Sequence, residues 1–303
     1  KQIHLEILLA EALPRWFRAE KVCQLRIIKE ASLFYAVFTI DRYLQAPKPI
    51  DNKVIAFDPN HKNLAYGVDT DKAAIEIANP WFIKPLDKQI DALKSRRDRC
   101  KRQSVKIVRP DGSFFWRPSR RWLFFNSRLQ ELYRKRREQT KTFLYTLANK
   151  LFRKYNVVSM GDYAPHGGGI TTQMRRCLNN QSLIGKFKLV VSWVALRSGK
   201  IYLEWQETGS TRTCHACSHI MADGIAPQIR QWTCPNCNAH HIRDENAAIN
   251  GLTRTLQKLQ LPCSGRREVI SRRAWRFNGT GVQETPGIID GQMISSCCQP
   301  PRN

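Results

Sequence analysis

Two pairs of cysteines are the feature of this sequence that most constrains its fold. Cys214 and Cys217 form one CxxC pair, and Cys234 and Cys237 form a second, with residues 218–233 between them. Each pair brings two thiolates to one edge of a metal ion, and two pairs complete a closed tetrahedral site. The spacing therefore predicts a zinc ribbon at residues 211–240. Because four thiolates leave no open coordination position, we expect the zinc to be structural rather than catalytic.

The balance of charge indicates the class of partner. The chain has 50 lysines and arginines against 25 aspartates and glutamates, which gives a net charge of +25. A surplus of this size favours a polyanionic partner, because neutralised phosphates release their condensed counterions. No apolar run approaches the roughly 20 residues that a membrane-spanning helix needs. We expect nucleic acid as the partner, no membrane, and a location in the cytoplasm (nucleoid-associated) if bacterial or in the nucleus if eukaryotic.

Short apolar runs predict strands in several parts of the chain. Residues 1–50 alternate strands and turns, and residues 54–77 hold three strands in close succession, which is typical of an antiparallel meander. The predicted strands cover residues 22–28, 34–40, 54–57, 64–68, 74–77, 157–160 and 201–205. Together with the predicted helices at 183–196 and 244–256, they indicate an α/β fold.

A helical hairpin with cationic faces is predicted at residues 85–155. Leucine and phenylalanine recur there at three- and four-residue steps, and Pro110-Asp111-Gly112 marks a turn. The candidate nucleic-acid-binding residues of this segment are Arg96, Arg97, Arg99, Lys101, Arg102, Arg134, Lys135, Arg136 and Arg137. These charges also fit an ordinary solvated surface, but the net charge of the whole chain favours contact with nucleic acid.

Aromatic residues are interleaved with these charges. They are Phe114, Phe115, Trp116, Trp122 and Phe124. They would either stack on unpaired bases, as in proteins that bind single strands, or pack in the core, and the sequence leaves both interpretations open.

Two aspartates stand where carboxylates would bind a metal. Asp58 follows the apolar strand at 54–57, where a carboxylate is costly to bury unless it binds a metal or accepts hydrogen bonds. Asp244 opens the last predicted helix, shortly after the ribbon. Nucleases that use two metal ions clamp the attacking and leaving oxygens with such hard ligands. Each residue also has an ordinary interpretation, Asp58 as a turn residue and Asp244 as a helix N-cap.

Four stretches of the chain carry a resemblance to a known family. They are residues 54–65 (VIAFDPNHKNLA), 208–217 (TGSTRTCHAC), 232–237 (WTCPNC) and 243–250 (RDENAAIN). The first and last resemble the first and third RuvC motifs of the TnpB family, and the middle two resemble its ribbon. TnpB proteins are transposon-encoded, RNA-guided DNA nucleases related to type V CRISPR effectors and to Fanzor proteins. The resemblance implies a guide RNA, a double-stranded DNA target and Mg²⁺.

One position departs from the TnpB pattern. The second RuvC motif of that family is a strand that ends in glutamate, whereas Gly161 follows the strand at 157–160 in this chain. The adjacent Asp162 would point to the other face of the strand. Glu207 lies just after the strand at 201–205 and just before the ribbon. It matches the place where Fanzor proteins and similar bacterial relatives carry a replacement glutamate.

The catalytic set that the resemblance implies is therefore Asp58, Glu207 and Asp244, which would together hold Mg²⁺. Asp162 and Glu204 remain alternatives for the missing ligand, and an inactive site is a further alternative.

The expected fold class is α/β, with an RNase H-like (RuvC) core, an inserted helical hairpin and a zinc ribbon, preceded by a partial β-barrel segment. The expected domains are a partial oligonucleotide-binding-like β-barrel (wedge) segment at 1–50, a RuvC-like core at 51–210 with the basic hairpin at 85–155, the ribbon at 211–240, the last RuvC motif and helix at 241–258, and a disordered tail at 259–303. The implied function is that of an RNA-guided DNA endonuclease of a transposable element. The alternative is a nuclease-inactive or truncated RNA-guided DNA-binding protein that acts as a repressor.

Overall fold

The structure is a computed structural model, in which the chain forms two compact units. The residues that the structure describes are 8–15, 17–30, 33–41, 44, 46, 53–60, 62–162, 182–226, 228–263, 268–289 and 292–293. One unit consists of Lys1–Tyr43 with Phe82–Glu138, and the other of Leu44–Trp81 with Gln139–Asn303.

The order of elements is mixed, as expected for an α/β chain. The strands are β1 (Val22–Glu30), β2 (Leu33–Ile40), β3 (Val54–Pro59), β4 (Ala65–Asp69), β5 (Ala73–Ile77), β6 (Val105–Val108), β7 (Phe114–Arg117), β8 (Val157–Gly161), β9 (Ile201–Trp205), β10 (Gln231–Thr233), β11 (His240–Ile242), β12 (Ser271–Phe277), β13 (Val282–Pro286), β14 (Ile288–Ile289) and β15 (Gln292–Met293). The helices are α1 (Ile83–Arg99), α2 (Arg120–Lys154), α3 (Ile184–Arg197) and α4 (Arg243–Lys258). No helix among the described residues is long and apolar enough to cross a membrane.

The first unit contains an antiparallel pair, β1 and β2, together with α1 and the amino-terminal part of α2. Within it, Arg136 of α2 binds Asp87 of α1 through two hydrogen bonds of 2.5 and 3.2 Å. The bidentate geometry is the strong form of this ion pair. The partial barrel expected at residues 1–50 stays a prediction, because the described residues of that segment contain only the β1–β2 pair and one short 3₁₀ turn.

The predicted helical hairpin exists as α1 and α2, but its helical interpretation is wrong for residues 105–117. These residues form an antiparallel β-hairpin, β6 and β7, whose turn lies at Pro110-Asp111-Gly112. The local sequence explains the difference, since β-branched and aromatic residues flank that turn on both sides and favour strands. The charge pattern of the surrounding helices concealed this short signal.

The second unit is organised around a seven-stranded mixed sheet of order β13-β12-β5-β4-β3-β8-β9. Strands β3, β4 and β5 are antiparallel neighbours, which confirms the predicted meander at residues 54–77. On the other side of β3, β8 and β9 run parallel to it. The carboxyl ends of β3, β8 and β9 therefore meet at one edge of the sheet.

Helix α4 covers one face of this sheet. Its apolar side packs with strand residues into one buried cluster, made of Val54, Ala56, Tyr66, Val68, Ala74, Val157, Ala248, Ile249, Leu252 and Leu256. The alternate residues of β3, Ile55 and Phe57, point to the opposite face and are also fully buried. Because both faces of β3 are covered, its residues form the continuous apolar run that is visible in the sequence.

The disordered tail predicted at residues 259–303 is wrong for residues 271–286. Strand β12 pairs in parallel with β5 and extends the central sheet, and β13 pairs with β12. Trp275 is 1% exposed, and its Nε1 donates to Glu284 at 3.0 Å. Arg272 forms a bidentate pair with Glu245 of α4, with both distances 2.9 Å. The polar, arginine-rich composition of this segment hid its order, because the partners that satisfy its charges are distant in sequence; residues 294–303 lie outside the described part of the chain.

Replacing Trp275 with alanine should lower the free energy of unfolding by about 3–5 kcal/mol, the usual cost of emptying a large buried site. Urea unfolding followed by circular dichroism measures the change. Trp193→Ala is the matched control, because Trp193 is 46% exposed on α3 and should change stability little. Equal effects of the two substitutions would contradict the incorporation of β12 into the core sheet.

Candidate active site and metal centre

The candidate active site lies at the carboxyl ends of the parallel strands β3 and β8, where Asp58 and Gly161 are found. Phe57 of β3 pairs with Met160 of β8, so the next residues, Asp58 and Gly161, are adjacent in the register. In a parallel pair, residues in register project to the same face of the sheet. A side chain at position 161 would therefore start beside the carboxylate of Asp58.

Glu207 occupies the space that such a side chain would need. A Cβ atom built on Gly161 would lie 2.0 Å from Oε1 of Glu207 and 2.6 Å from its Cδ. Glu207 follows β9, whose last residue, Trp205, pairs with Gly161. The Glu207 carboxylate, which follows β9, thus occupies the space next to Gly161 at the end of β8.

The three acidic residues that the sequence indicated, Asp58, Glu207 and Asp244, interact electrostatically. Asp58 is 8% exposed. Its burial raises its pKa well above the usual value, and the negative charges of Glu207 and Asp244 raise that pKa further. The positive charge of Arg243 acts in the opposite direction. A buried carboxylate next to two others disfavours its charged form, and a bound cation relieves this kind of repulsion.

Asp244 reaches the same edge of the sheet from the first turn of α4. Asn60, which follows β3, donates from Nδ2 to Oδ2 of Asp244 at 3.4 Å. Arg230 lies before β10, and its Nη1 is 3.3 Å from both carboxylate oxygens of Asp244. These two contacts, which the sequence did not reveal, hold Asp244 near the end of β3. They also provide a positive charge that balances part of the acidic cluster.

The three carboxylates do not form a fully compact ligand set. Among the described residues, only the four cysteines place all their ligand atoms within 4.8 Å of one another. The acids are hard oxygen donors of the kind that Mg²⁺ takes, usually with few protein ligands and several waters. The donor type and the shared negative charge fit a divalent cation, whereas the tight clustering of ligands is found at the cysteine site.

The two alternative acids have other contacts. Oδ1 of Asp162 accepts a hydrogen bond of 3.0 Å from the backbone amide of Glu207, so Asp162 positions the chain that carries Glu207. The side chain of Glu204 is 45% exposed and binds Nζ of Lys188 and the hydroxyl of Tyr202, at 3.0 and 2.9 Å. Both alternatives are therefore engaged in contacts of their own.

The four cysteines form a compact cluster able to hold a metal ion. The Sγ atoms of Cys214 and Cys237 are 3.7 Å apart, and those of Cys217 and Cys234 are 3.6 Å apart. Four thiolates at about 2.3 Å from one tetrahedral ion lie about 3.8 Å from each other, so the spacing fits a metal such as zinc. A hydrogen bond from Asn236 lowers the pKa of Cys217 and favours the thiolate that binds metal.

The two cysteine loops have equivalent backbone geometry. The residue four positions after the first cysteine of each pair has a positive φ, 63° at Ser218 and 56° at Asn238. The amide of each donates to the carbonyl of that first cysteine, at 2.8 and 2.9 Å. The imidazole of His241, 5% exposed, lies with Nε2 3.1 Å from Sγ of Cys214 and supports the cluster from the interior.

Two asparagines of α4 connect the cysteine cluster with the acidic site. Nδ2 of Asn246 donates to the carbonyls of Ser210 and Thr213 at 3.1 and 2.8 Å, and its Oδ1 accepts from the amide of His215 at 3.0 Å. Nδ2 of Asn250 reaches the same two carbonyls, each at 2.8 Å. The amide of Ser210 in turn donates to the carbonyl of Glu207 at 2.9 Å.

The predicted nucleic-acid-binding residues fall into two groups, all within the first unit. Arg97, Arg134, Arg136 and Arg137 form ion pairs with Asp98, Glu131, Asp87 and Glu30 respectively. The others are exposed and have no acidic partner at ion-pair distance among the described residues: Arg96, Arg99, Lys101, Arg102 and Lys135. The second group keeps its positive charge available to a ligand.

Asp58→Asn should stabilise the protein in a chelating buffer, because it removes a buried charge from the acidic cluster. Each unit by which the pKa of Asp58 is raised on folding corresponds to about 1.4 kcal/mol at a pH above the folded pKa. The gain should grow as the pH rises toward the raised folded pKa and should disappear below about pH 4, where the wild-type carboxyl is protonated in both states. Urea unfolding at several pH values measures it.

Asp69→Asn is the matched control for this prediction. Asp69 is also buried, but it accepts hydrogen bonds from Tyr155 Oη at 2.7 Å and from the amide of Ala73 at 2.8 Å. Its replacement should destabilise the protein, because it weakens satisfied contacts. Destabilisation by Asp58→Asn at pH 8 in chelator would contradict the repulsion described for the acidic site.

Comparison with known proteins finds a match to one family model and similarity to curated proteins. Residues 185–251 match a family model described as the Cas12f1-like TNB domain. A relative from Mycobacterium tuberculosis (strain CDC 1551 / Oshkosh), named putative RNA-guided DNA endonuclease MT2953, is 23% identical over 218 residues, which are 70% of this chain and 44% of that protein. The CRISPR-associated DNA-binding protein Cas12m of Allomeiothermus silvanus is 27% identical over 143 residues, which are 46% of this chain and 26% of that protein.

The chain spans less than half the length of these curated relatives. Among solved structures, the cryo-EM structure of a CRISPR-Cas12f ternary complex is similar with a TM-score of 0.46 and 13% identity, covering 72% of this chain and 41% of that chain. The family-model match spans the candidate ligands Glu207 and Asp244 and all four cysteines. The family-model match and the curated relatives show that the chain is similar to TnpB/Cas12-like proteins.

Proposed function

We propose that this protein is an RNA-guided DNA endonuclease of a transposable element, with Asp58, Glu207 and Asp244 as its catalytic residues. The observation that carries the proposal is the placement of the Glu207 carboxylate in the space next to Asp58 that Gly161 leaves open. A glutamate lost from one strand and a glutamate that fills the same volume from another point to one preserved site. The relative named as a putative RNA-guided DNA endonuclease supports this function, and the relative named as the CRISPR-associated DNA-binding protein Cas12m supports binding of DNA.

The sheet supports an RNase H-like assignment for the core. Three antiparallel strands, β5, β4 and β3, are followed across the sheet by β8 and β9, which run parallel to β3. The candidate acids come from the ends of β3 and β9 and from the start of α4. This arrangement brings acids that are distant in sequence to one edge of the sheet, where we propose the carboxylate metal site.

The catalytic cofactor in this proposal is Mg²⁺, held by Asp58, Glu207 and Asp244. Divalent ions bound between such acids supply an activated water and stabilise the leaving oxygen of the cleaved phosphodiester. The residues of the chain provide the orientation. Asp162 fixes the backbone of Glu207, and Asn60 donates to Asp244.

The proposed partners are a guide RNA and a double-stranded DNA target. In RNA-guided effectors, base pairing reads the sequence while the protein holds the backbone of the heteroduplex. The exposed cations of the first unit, Arg96, Arg99, Lys101, Arg102 and Lys135, suit contacts with phosphates. A partial barrel at residues 1–50 remains part of the proposal, as does a location in the bacterial cytoplasm or the eukaryotic nucleus.

The metal at the cysteine cluster is proposed to be structural zinc. Four sulfur ligands are typical of closed zinc sites. Through Asn246 and Asn250, the cluster and the loop that follows Glu207 are fastened to the helix that carries Asp244. Zinc would therefore support catalysis by fixing positions, without contacting the DNA.

The second candidate function is RNA-guided DNA binding without cleavage. It rests on Gly161, which stands where the TnpB family has its catalytic glutamate. It shares the charge, the ribbon and the fold with the first candidate. The two differ only in whether Glu207 restores the site, so a cleavage assay distinguishes them.

Glu207→Ala should reduce Mg²⁺-dependent cleavage of labelled target DNA by more than about 100-fold, since loss of outer-shell partners alone costs about 10–100-fold at metal sites. Gly161→Ala should also reduce cleavage, because its Cβ would displace the Glu207 carboxylate. The double substitution Gly161→Glu with Glu207→Ala should recover part of the activity. The assay uses protein co-expressed with the RNA of its element.

Glu204→Ala is the control for this series, because Glu204 lies on β9 shortly before Glu207 but binds Lys188 and Tyr202 instead. It should cleave like the wild type. Full activity of Glu207→Ala would exclude Glu207 as a ligand. A wild-type protein that binds the RNA and the target but does not cleave would favour the second candidate function.

Cys234→Ser should release the structural metal and lower cleavage, while the central sheet stays folded. The cysteine cluster anchors the carbonyls and amide that Asn246 binds, so its loss frees the loop after Glu207. Metal content per chain, circular dichroism and cleavage are measured together. Cys263→Ser, a change at an exposed cysteine outside the cluster, is the control and should retain both metal and activity.

A further inference from the structure

The β-hairpin at residues 105–117, called here the aromatic hairpin, has a well-defined conformation. Its two strands pair from Val105 with Arg117 to Val108 with Phe114. The turn is closed by hydrogen bonds from the amide of Arg109 to the carbonyl of Ser113 at 2.7 Å and from the hydroxyl of Ser113 to Asp111 at 2.6 Å. The side chains on the two strands are therefore presented in a fixed register.

Both faces of the aromatic hairpin carry large exposed apolar side chains. Phe114 is 55% exposed, Phe115 42%, Trp116 60%, Val105 51% and Val108 63%. A two-stranded hairpin is marginally stable in water unless one face is covered. Clustered exposed aromatic residues of this kind mark a binding surface.

Cations lie directly over the rings. Nζ of Lys106 is 4.1 Å from the centroid of Phe114, on one face of the hairpin. On the other face, Cζ of Arg109 is 5.1 Å from the centroid of Phe115. Each face thus combines an aromatic surface for stacking with a positive charge for a phosphate.

This combination favours a nucleic acid over an apolar protein partner. A protein that covered the rings would also bury the lysine and arginine above them, at a large desolvation cost. A nucleic acid uses both features, because its bases stack on the rings and its phosphates meet the cations. Paired bases in a duplex expose only their edges, so the rings select unpaired bases.

We propose that the aromatic hairpin is a binding site for an unpaired segment of nucleic acid, with Phe114, Phe115 and Trp116 as stacking platforms and Lys106 and Arg109 as phosphate contacts. The inference rests on the proposed function only in its choice of a nucleic-acid partner. It does not depend on catalysis by Asp58, Glu207 or Asp244. A single-stranded part of the guide RNA and a displaced DNA strand share the chemistry that this site recognises.

The test measures binding without cleavage. The full chain carrying Asp58→Asn is titrated into fluorescein-labelled dT12, rU12 and a 12-base-pair DNA duplex, and anisotropy gives the Kd at two salt concentrations. The triple variant Phe114→Ala, Phe115→Ala and Trp116→Ala should weaken binding of a single strand by roughly 10-fold or more, since each stacked base contributes on the order of 1–3 kcal/mol. Binding of the duplex should change by less than about twofold. Preference for rU12 or for dT12 identifies the source of the strand.

Matched variants separate stacking from charge and from folding. The corresponding triple leucine variant keeps apolar area but lacks aromatic rings, and it should weaken binding nearly as much as the alanine variant. Trp193→Ala, at an exposed tryptophan of α3, should bind like the parent. Lys106→Gln with Arg109→Gln should lower the dependence of Kd on salt, because two phosphate contacts are lost.

Three results of the binding assay would overturn the proposal. They are unchanged single-strand binding by the alanine variant, an equal loss of duplex binding, and wild-type binding by the leucine variant. Self-association that depends on the hairpin aromatics in sedimentation would assign the surface to a second copy of the chain instead. Failure of the proposed nuclease function appears separately, as absent cleavage by the wild type in the Mg²⁺ assay.

Discussion

The buried side-chain amide of Asn246 connects the four-cysteine cluster with the candidate acidic site. Asn246 is 1% exposed on α4, and its side chain bonds the carbonyls of Ser210 and Thr213 and the amide of His215. A buried polar group that loses such partners costs about 1–3 kcal/mol, so the loop between Glu207 and the cysteine cluster has one favoured position against the helix. Asp244 lies two residues earlier on that helix. The relative placement of the two carboxylates therefore depends on this contact.

The acidic site concentrates negative charge inside a strongly basic chain. Burial and the negative charges of Glu207 and Asp244 both raise the pKa of Asp58 and disfavour its charged form. The apolar packing on both faces of β3 and its pairing with β4 and β8 offset the free-energy cost of this buried charge. Next to Asp244 on α4, the charge of Glu245 is balanced by Arg272. Its carboxylate also accepts a hydrogen bond of 3.0 Å from the hydroxyl of Tyr66. Adjacent acids on one helix thus have opposite roles, one turned to the candidate metal site and the other joining α4 to β12.

Much of the fold could be predicted from local patterns. The strands around Val54–Pro59 and Ile201–Trp205 and the helix that begins at Arg243 were predicted to within about two residues, because apolar runs and their periodicity are local signals. The strands at 271–286 were missed, because their order comes from pairing with β5 and from the Arg272–Glu245 contact, which are long-range. The β-hairpin at 105–117 was missed because the flanking helical charge pattern outweighed a short run of β-forming residues.

The sequence by itself predicted the four-cysteine cluster, because each CxxC pair brings two thiolates together locally and two such pairs suit one tetrahedral metal ion. It also named Asp58, Glu207 and Asp244, through a resemblance of motifs. Only the tertiary structure could decide where the Glu207 carboxylate lies. Gly161 and Glu207 are far apart along the chain, and their relation appears only when β8 and β9 pair and the absent Cβ of Gly161 leaves a space. Steric exclusion between paired strands is a property of the folded sheet, so no local pattern could report that one residue's absence makes room for the other.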